Sequence, residues 1–246
     1  MKAKRRFNIW LWVLLCVPCL LASCDHDVHD GEDDGGLSVS LTWADEADQG
    51  TDVKDVKLWI FNANDGSLVE EKHYSSAKEV ASQRFALPEG SYRILAATNL
   101  TEPFTIGEQT RALSNWNNIQ IGLTNPKDVR NNAYFGVADV RIDTKEGSYV
   151  VQNPIKSVLS ELTIIIENVP KGTEMSGKAL DAAWCLFPTQ KNSDGEYGLP
   201  SIDPTEVEMP TILATESTLK SEVIRLMPTI QGSPASHVYL RLLLPN

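Results

Sequence analysis

Leu37-Ser38-Val39-Ser40-Leu41-Thr42-Trp43 alternates apolar and polar residues without a break. Successive side chains of an extended strand point to opposite faces, so this stretch reads as a β-strand with one buried face. Further along, Val56, Leu58 and Ile60 repeat the alternation, but Trp59 and Phe61 fill the positions between them. A strand that is apolar on both faces belongs in the middle of a layered β structure, covered from either side.

The same period continues towards the C-terminus. Asn64-Asp65-Gly66 is a turn signal, because Asp-Gly tolerates positive φ, and residues 68–74 can return as the next strand. Residues 80–87 form a further strand candidate, Pro88-Glu89-Gly90 turns the chain, and Tyr92, Ile94 and Ala96 mark another strand. Residues 99–132 are rich in Asn and Thr and poor in period, with a short helix expected over 108–116. Strand character resumes at 134–137, 140–142 and 149–151, and again beyond Pro154 at 162–166, 182–187, 206–213, 222–227 and 237–244. Many short strands separated by turn residues predict an all-β chain of β-sandwich domains. Two are expected, over residues 37–152 and 153–246, each within the usual domain size.

Upstream of Leu37, residues 25–36 read Asp-His-Asp-Val-His-Asp-Gly-Glu-Asp-Asp-Gly-Gly. With one apolar residue, Val28, the segment buries too little surface to offset its ordering entropy, and residues 24–36 are expected to act as an acidic tether. Before it, Lys2, Lys4, Arg5 and Arg6 precede an apolar run from Phe7 to Leu21 and then Leu21-Ala22-Ser23-Cys24. A basic start, a short apolar core and a small-residue exit are the parts of a secretion signal, assigned to residues 1–23. The apolar run is shorter than the roughly 20 residues a spanning helix needs. Leu21 to Cys24 resembles the bacterial lipobox, in which the Cys thiol receives diacylglycerol. Cys24 is therefore the expected lipidation site, and each buried methylene of its acyl chains would contribute about 0.8 kcal/mol of membrane affinity. Acidic residues directly after that Cys resemble the surface-export signal of Bacteroidetes lipoproteins.

The chain carries 22 Lys+Arg against 33 Asp+Glu, a net charge of −11. Loss of the four basic residues in 1–23 leaves 18 against 33, or −15. Such a charge argues against nucleic acid as a partner. Cys16 and Cys19 lie in the signal and Cys24 is the lipid acceptor, so Cys185 is the one remaining thiol, and neither a disulfide nor a Cys-based metal site is expected. Cys185 lies in Ala182-Ala183-Trp184-Cys185-Leu186-Phe187 and reads as a small core residue.

Catalytic chemistry is not legible. His26 and His29 are in the tether, where they read as solvated residues, since the spacing does not fit a calcium loop. His73 and His237 lie in strand candidates without the neighbours of a nucleophile elbow or a metalloprotease helix. Gly35-Gly36 precedes a strand, which is not the context of a phosphate-binding loop. Adjacent carboxylates such as Glu70-Glu71 point to opposite strand faces. No catalytic residue, cofactor or metal is expected. Trp43, Trp59 and Trp184 lie in apolar or alternating runs and read as core. Trp116, in Asn115-Trp116-Asn117-Asn118 of the irregular segment, is expected at the surface and is the one candidate ligand contact.

Several segments resemble, in order, the FimB-like fimbrial anchor and minor-subunit lipoproteins of Bacteroidetes. These are Lys57-Leu58-Trp59-Ile60-Phe61-Asn62 before an Asp-Gly turn, Leu87-Pro88-Glu89-Gly90-Ser91-Tyr92 running on to Asn99, Tyr134-Phe135-Gly136, and Ser160-Glu161-Leu162-Thr163-Ile164. The resemblance covers most of residues 37–168. It implies two transthyretin-like β-sandwich domains. It also implies an outer-membrane lipoprotein that anchors or assembles surface fimbriae, pairs with other fimbrial subunits through β-strands, and supports adhesion. In that family polymerising subunits lose an N-terminal segment to an Arg- or Lys-specific protease, whereas anchors keep their lipid. Here no Lys or Arg lies between Cys24 and Lys54, which favours an untrimmed anchor or accessory subunit. Members of the family often run on past a point comparable to Asn246. A shorter second domain leaves open whether the final strand is donated to a partner. The competing reading is a surface glycan- or host-binding lipoprotein outside any fimbria.

Overall fold

The computed structural model describes residues 35–245 apart from 50, 108–113, 126–128, 130, 146, 202–203, 209–212, 215–216 and 230–236. The signal, Cys24, the tether up to Asp34 and most of the helix expected over 108–116 fall outside the described residues. Residues 35–246 make one compact unit.

Its centre is a sheet in the order β1-β8-β7-β4-β2-β3, formed by β1 (Gly36–Trp43), β8 (Ser148–Ser157), β7 (Tyr134–Ile142), β4 (Gly90–Thr98), β2 (Lys54–Asn62) and β3 (Leu68–Ser76). β2 lies between β3 and β4, antiparallel to both. Its two apolar faces serve two cores, as its sequence predicts. Leu58 and Ile60 pack with Leu37, Val39, Ile94, Ala96 and Ile155. Trp59 and Phe61 pack with Leu95, Ala97, Phe104, Ile121, Phe135 and Leu186. Fully burying a side chain of this size stabilises the fold by about 1.5–3 kcal/mol.

The face carrying Trp59 is covered by a second sheet, in the order β13-β12-β6-β5, from β5 (Phe104–Gly107), β6 (Gln120–Leu123), β12 (Cys185–Lys191) and β13 (Tyr197–Pro200). The opposite face is closed by α1 (Ala77–Ala81) and the chain after it, which bury Val80, Phe85 and Leu87. The strand expected over 80–87 is thus a short helix and an irregular return. Ser76 caps that helix by accepting from the Glu79 N–H at 3.3 Å, and the Glu79 carboxylate accepts from the Ser75 N–H and hydroxyl, both at 2.7 Å. These caps outweigh a weak strand pattern.

The Pro88-Glu89-Gly90-Ser91-Tyr92 stretch is closed by its own tyrosine. The Tyr92 hydroxyl donates to the Pro88 carbonyl at 2.8 Å, so the ring packs in the core while its polar end ties the turn. The Asn64-Asp65-Gly66 turn forms as expected, with Gly66 at φ 74° and Asp65 accepting from the Ser67 N–H at 2.9 Å.

The division expected at 152/153 falls inside β8, which runs without interruption across it. Residues 185–200, expected in the second domain, instead complete the sheet begun by β5 and β6. The remaining strands form three small sheets. β11 (Glu174–Ala183) sits between β14 (Pro204–Glu208) and β18 (His237–Leu243). β10 (Ile165–Glu167), β16 (Thr218–Lys220) and β15 (Leu213–Ala214) form the next, and β9 (Ser160–Leu162) pairs with β17 (Ile224–Leu226). Their core is modest: Ala179, Ala182, Val207 and Ile224, with Leu162, Ile164 and Leu226 against it.

Candidate functional site

Three features of the described residues bear on function: the last strand, the first strand and a polar cleft.

β18 pairs antiparallel with β11, from Glu174 opposite Leu243 to Leu180 opposite His237. It ends its sheet, and no described strand lies on its outer side. Every residue of it is exposed, including Val238, Tyr239, Leu240, Leu242 and Leu243, followed by Leu244 at 64%. Val238, Leu240 and Leu242 stand beside Ala179, Gly177 and Met175 of β11. Proteins ordinarily blunt exposed strand edges with charge, and Arg241 is the one Lys or Arg here.

β1 is the opposite case. It pairs in parallel with β8 over eight residue pairs, Gly36 opposite Ser148 through Trp43 opposite Ile155. Leu37 and Val39 are wholly buried, and Ser38 nearly so. On the other side Leu37 and Phe85 exchange two backbone hydrogen bonds at 3.0 and 2.9 Å, and Arg84 Nη1 donates to Ser38 Oγ at 2.7 Å.

A cleft of about 850 Å³ opens where the loop after β1 meets the loops before β5, β7 and β9. Its lining includes Asp48, Asp52, Asn99, Asn132, Glu161 and Arg225. Asn99, at φ 57°, fixes the rim by accepting from the Lys54 N–H at 2.8 Å and donating to the Asp52 carbonyl at 3.3 Å. Lys54 pairs with Asp52 at 2.8 Å and Arg225 with Glu161 at 2.8 Å. Burial pushes the Asp48 carboxyl above the usual aspartate range. The carboxylates of Asp45 and Glu161 push the same way, against a hydrogen bond with Tyr134. These side chains come from separate loops and strands, so no local motif announces them.

Trp116 is not at the surface. Its ring is 3% exposed, in a short 3-10 turn over Trp116–Asn118, edge-on to Phe61 at 5.4 Å and to Tyr197 at 6.0 Å. Arg93 lies over it at 5.4 Å. Asn117 and Asn118 are exposed and Asn115 turns back to accept from the Asn117 N–H at 3.0 Å, while the indole fills the core between the two large sheets. Its expected exposure, and with it the ligand-contact reading, is corrected. Trp59 is buried as expected, whereas Trp43 and Trp184 are half-buried, Trp43 edge-on to Tyr134 at 4.9 Å. Cys185 is buried. His73 is exposed and bonded to Asp55 at 2.5 Å, and His237 opens β18. Among the described residues no group of three or more His, Cys, Asp or Glu could hold a metal, and no helix is long and apolar enough to cross a membrane.

The sequence profile of the fimbrillin-A associated anchor proteins Mfa1 and Mfa2 matches residues 24–240. No curated protein matches the chain significantly in sequence. Among solved structures, the fimbrial anchor protein Mfa2 of Porphyromonas gingivalis superposes with a TM-score of 0.59 at 14% identity, over 85% of this chain and 77% of that one. A candidate adhesin of Bacteroides ovatus gives 0.61 at 14% identity, over 85% and 72%. A candidate polysaccharide-binding protein of Bacteroides thetaiotaomicron gives 0.57 at 13% identity, over 84% and 75%. At these identities the likeness establishes a shared β-rich fold.

Proposed function

The chain belongs to the family of fimbrillin-A associated anchor proteins Mfa1 and Mfa2, and on that premise we propose that it is an outer-membrane lipoprotein serving as an anchor or accessory structural subunit of surface fimbriae. In this role Cys24 carries the lipid, residues 24–36 span from the membrane to the body, and the body holds the fimbria and supports adhesion to surfaces.

The observation that carries the reading is the state of β1. It follows the tether directly, is built into the central sheet, and has no Lys or Arg between Cys24 and Lys54 at which a trypsin-like protease could free it. Cleavage after Lys54 would sever β1 from β2 within the fold, so the N-terminal strand stays and the lipid stays with it. The fimbrial partner is met at β18, which ends its sheet among the described residues and carries exposed apolar side chains, the placement from which one strand extends another's sheet. Trp116 was the feature favouring a glycan-binding lipoprotein, and its burial removes that support.

The test is metabolic labelling with a clickable palmitate analogue in cells carrying the native chain or Cys24→Ser. Label on the native chain, its loss in the variant, and release of fimbriae into the medium are the expected results. Label or membrane retention that survives the substitution overturns the anchor reading. An intact-mass measurement placing the mature N-terminus well beyond Cys24 would do so as well.

A further inference from the structure

We infer that β1 is a mechanical clamp, passing tension from the tether into the body by shear against β8. The source of the tension rests on the lipid-anchored reading above, whereas the geometry of the clamp does not.

The two strands run in parallel, so their chain connections sit at opposite ends. The tether enters at Gly36, opposite Ser148, where the Gly36 N–H donates to the Gly147 carbonyl at 2.9 Å. β8 leaves for the rest of the body beyond Ser157, past the end where the Ala44 N–H donates to the Ile155 carbonyl at 2.9 Å. A pull on Gly36 along the strand, resisted beyond Ser157, drives β1 and β8 past one another. Every bond across the eight-residue register then bears load together. A pull across the strands at Gly36 would instead part the bonds one after another.

Packing at the loaded end adds to this. Leu37, Ser38 and Val39 are all buried, so both faces of the strand are covered just where tension arrives. Slippage by one residue would move each side chain to the wrong face, exchanging Ser38 with Leu37 and Val39. Phe85 and Arg84 hold the same residues from the side away from β8, so the strand is gripped along both edges at its entry. An antiparallel first strand would have placed the tether and the exit of its neighbour at one end and invited peeling.

Optical tweezers on residues 24–246 test the inference, the compact unit being contained within them. The chain carries Cys24→Ser and one handle at Asp30→Cys, and Cys185 is buried and takes no handle. The second handle is placed at exposed Asn131→Cys, in the segment whose Asn132 accepts from Ser157, or at exposed Lys145→Cys, in the turn beside Gly147. The first pair loads β1 along its axis and the second loads it crosswise. The clamp predicts a severalfold higher rupture force with Asn131→Cys than with Lys145→Cys, each with a first extension step the length of the β1 segment. Equal forces, or release of β1 only after the rest of the body has opened crosswise, overturn it. Loss of acylation in cells would refute the anchor reading and leave the force ratio standing, so the two failures are distinguishable.

Discussion

Gly136 is glycine because Asn153 occupies the space a side chain would need. A Cβ built there overlaps Asn153 Oδ1 and stands 2.5 Å from the Pro154 carbonyl oxygen. β8 pairs with β1 over Ser148–Ile155, and its bonding to β7 is confined to its end, through Tyr134–Gly136 and Ile155–Ser157. Asn153 is buried just before that end and donates through Nδ2 to the Ile94 carbonyl at 3.4 Å. The glycine therefore lets β8 cross from one partner to the other.

Gly136→Ala must displace backbone and not the free end of a flexible side chain. The expected cost is about 1–3 kcal/mol, the range for overpacked sites. Urea denaturation reads it as a lowered midpoint, and an unchanged midpoint would show that β8 can move aside at no cost.

Trp116→Ala is expected to act on stability. The indole joins Phe61 and Tyr197 in the core between the large sheets, so truncation should cost about 3–5 kcal/mol. Trp116→Phe should recover part of that. Thermal unfolding is the measurement. A folded, equally stable Trp116→Ala chain that loses adhesion would restore the ligand-contact reading.

Asp48 makes the fold pH-dependent. Burial and the nearby carboxylates of Asp45 and Glu161 raise its pKa above that of the unfolded chain, so the folded state binds its proton more readily. The ionised group therefore costs stability at neutral pH, and the cost disappears as pH falls through the folded value and then below the unfolded one. Asp48→Asn should stabilise the protein at pH 7 by less than about 1 kcal/mol, the group being largely screened by solvent. The gain should vanish in denaturation curves taken at strongly acidic pH. A gain that grows towards low pH would contradict this assignment.

Cys185 should be silent towards a thiol reagent until the protein unfolds. Its side chain is 1% exposed on β12, whose neighbours Ala183 and Leu186 belong to the core between the large sheets. Titration with a chromogenic disulfide should show no reaction in buffer and full reaction in denaturant. Rapid labelling of the native chain would mean that β12 opens readily.

Periodicity exposed much of the central sheet in advance. Leu37 to Trp43, Val56 to Phe61 and Tyr92 to Ala96 are strands because their alternation matches a pleated, buried surface, and the double apolar face of β2 foretold cover on both sides. Residues 80–87 misled because Val80, Phe85 and Leu87 are buried without alternating partners, and the Ser76 cap acts through hydrogen bonds that a hydrophobic pattern does not register. The position of Trp116 was hidden for the same reason: its flanking Asn residues are polar, yet three-dimensional neighbours, not sequence neighbours, bury the ring. The cleft around Asp48 draws on loops and strands far apart in the chain, so no stretch of sequence displays it.

What the sequence alone determined is whatever depends on local pattern and covalent order: the β class, the turns at Gly66 and Pro88, the lipobox-like Leu21 to Cys24, and an acidic stretch free of Lys and Arg before Lys54. The tertiary structure decided the partners of each strand. That β1 runs parallel to β8, that β12 completes the sheet of β5 and β6, and that β18 lies last in its sheet among the described residues follow from long-range pairing. Alternation tells a strand which face to bury but carries no label for the strand that will lie beside it.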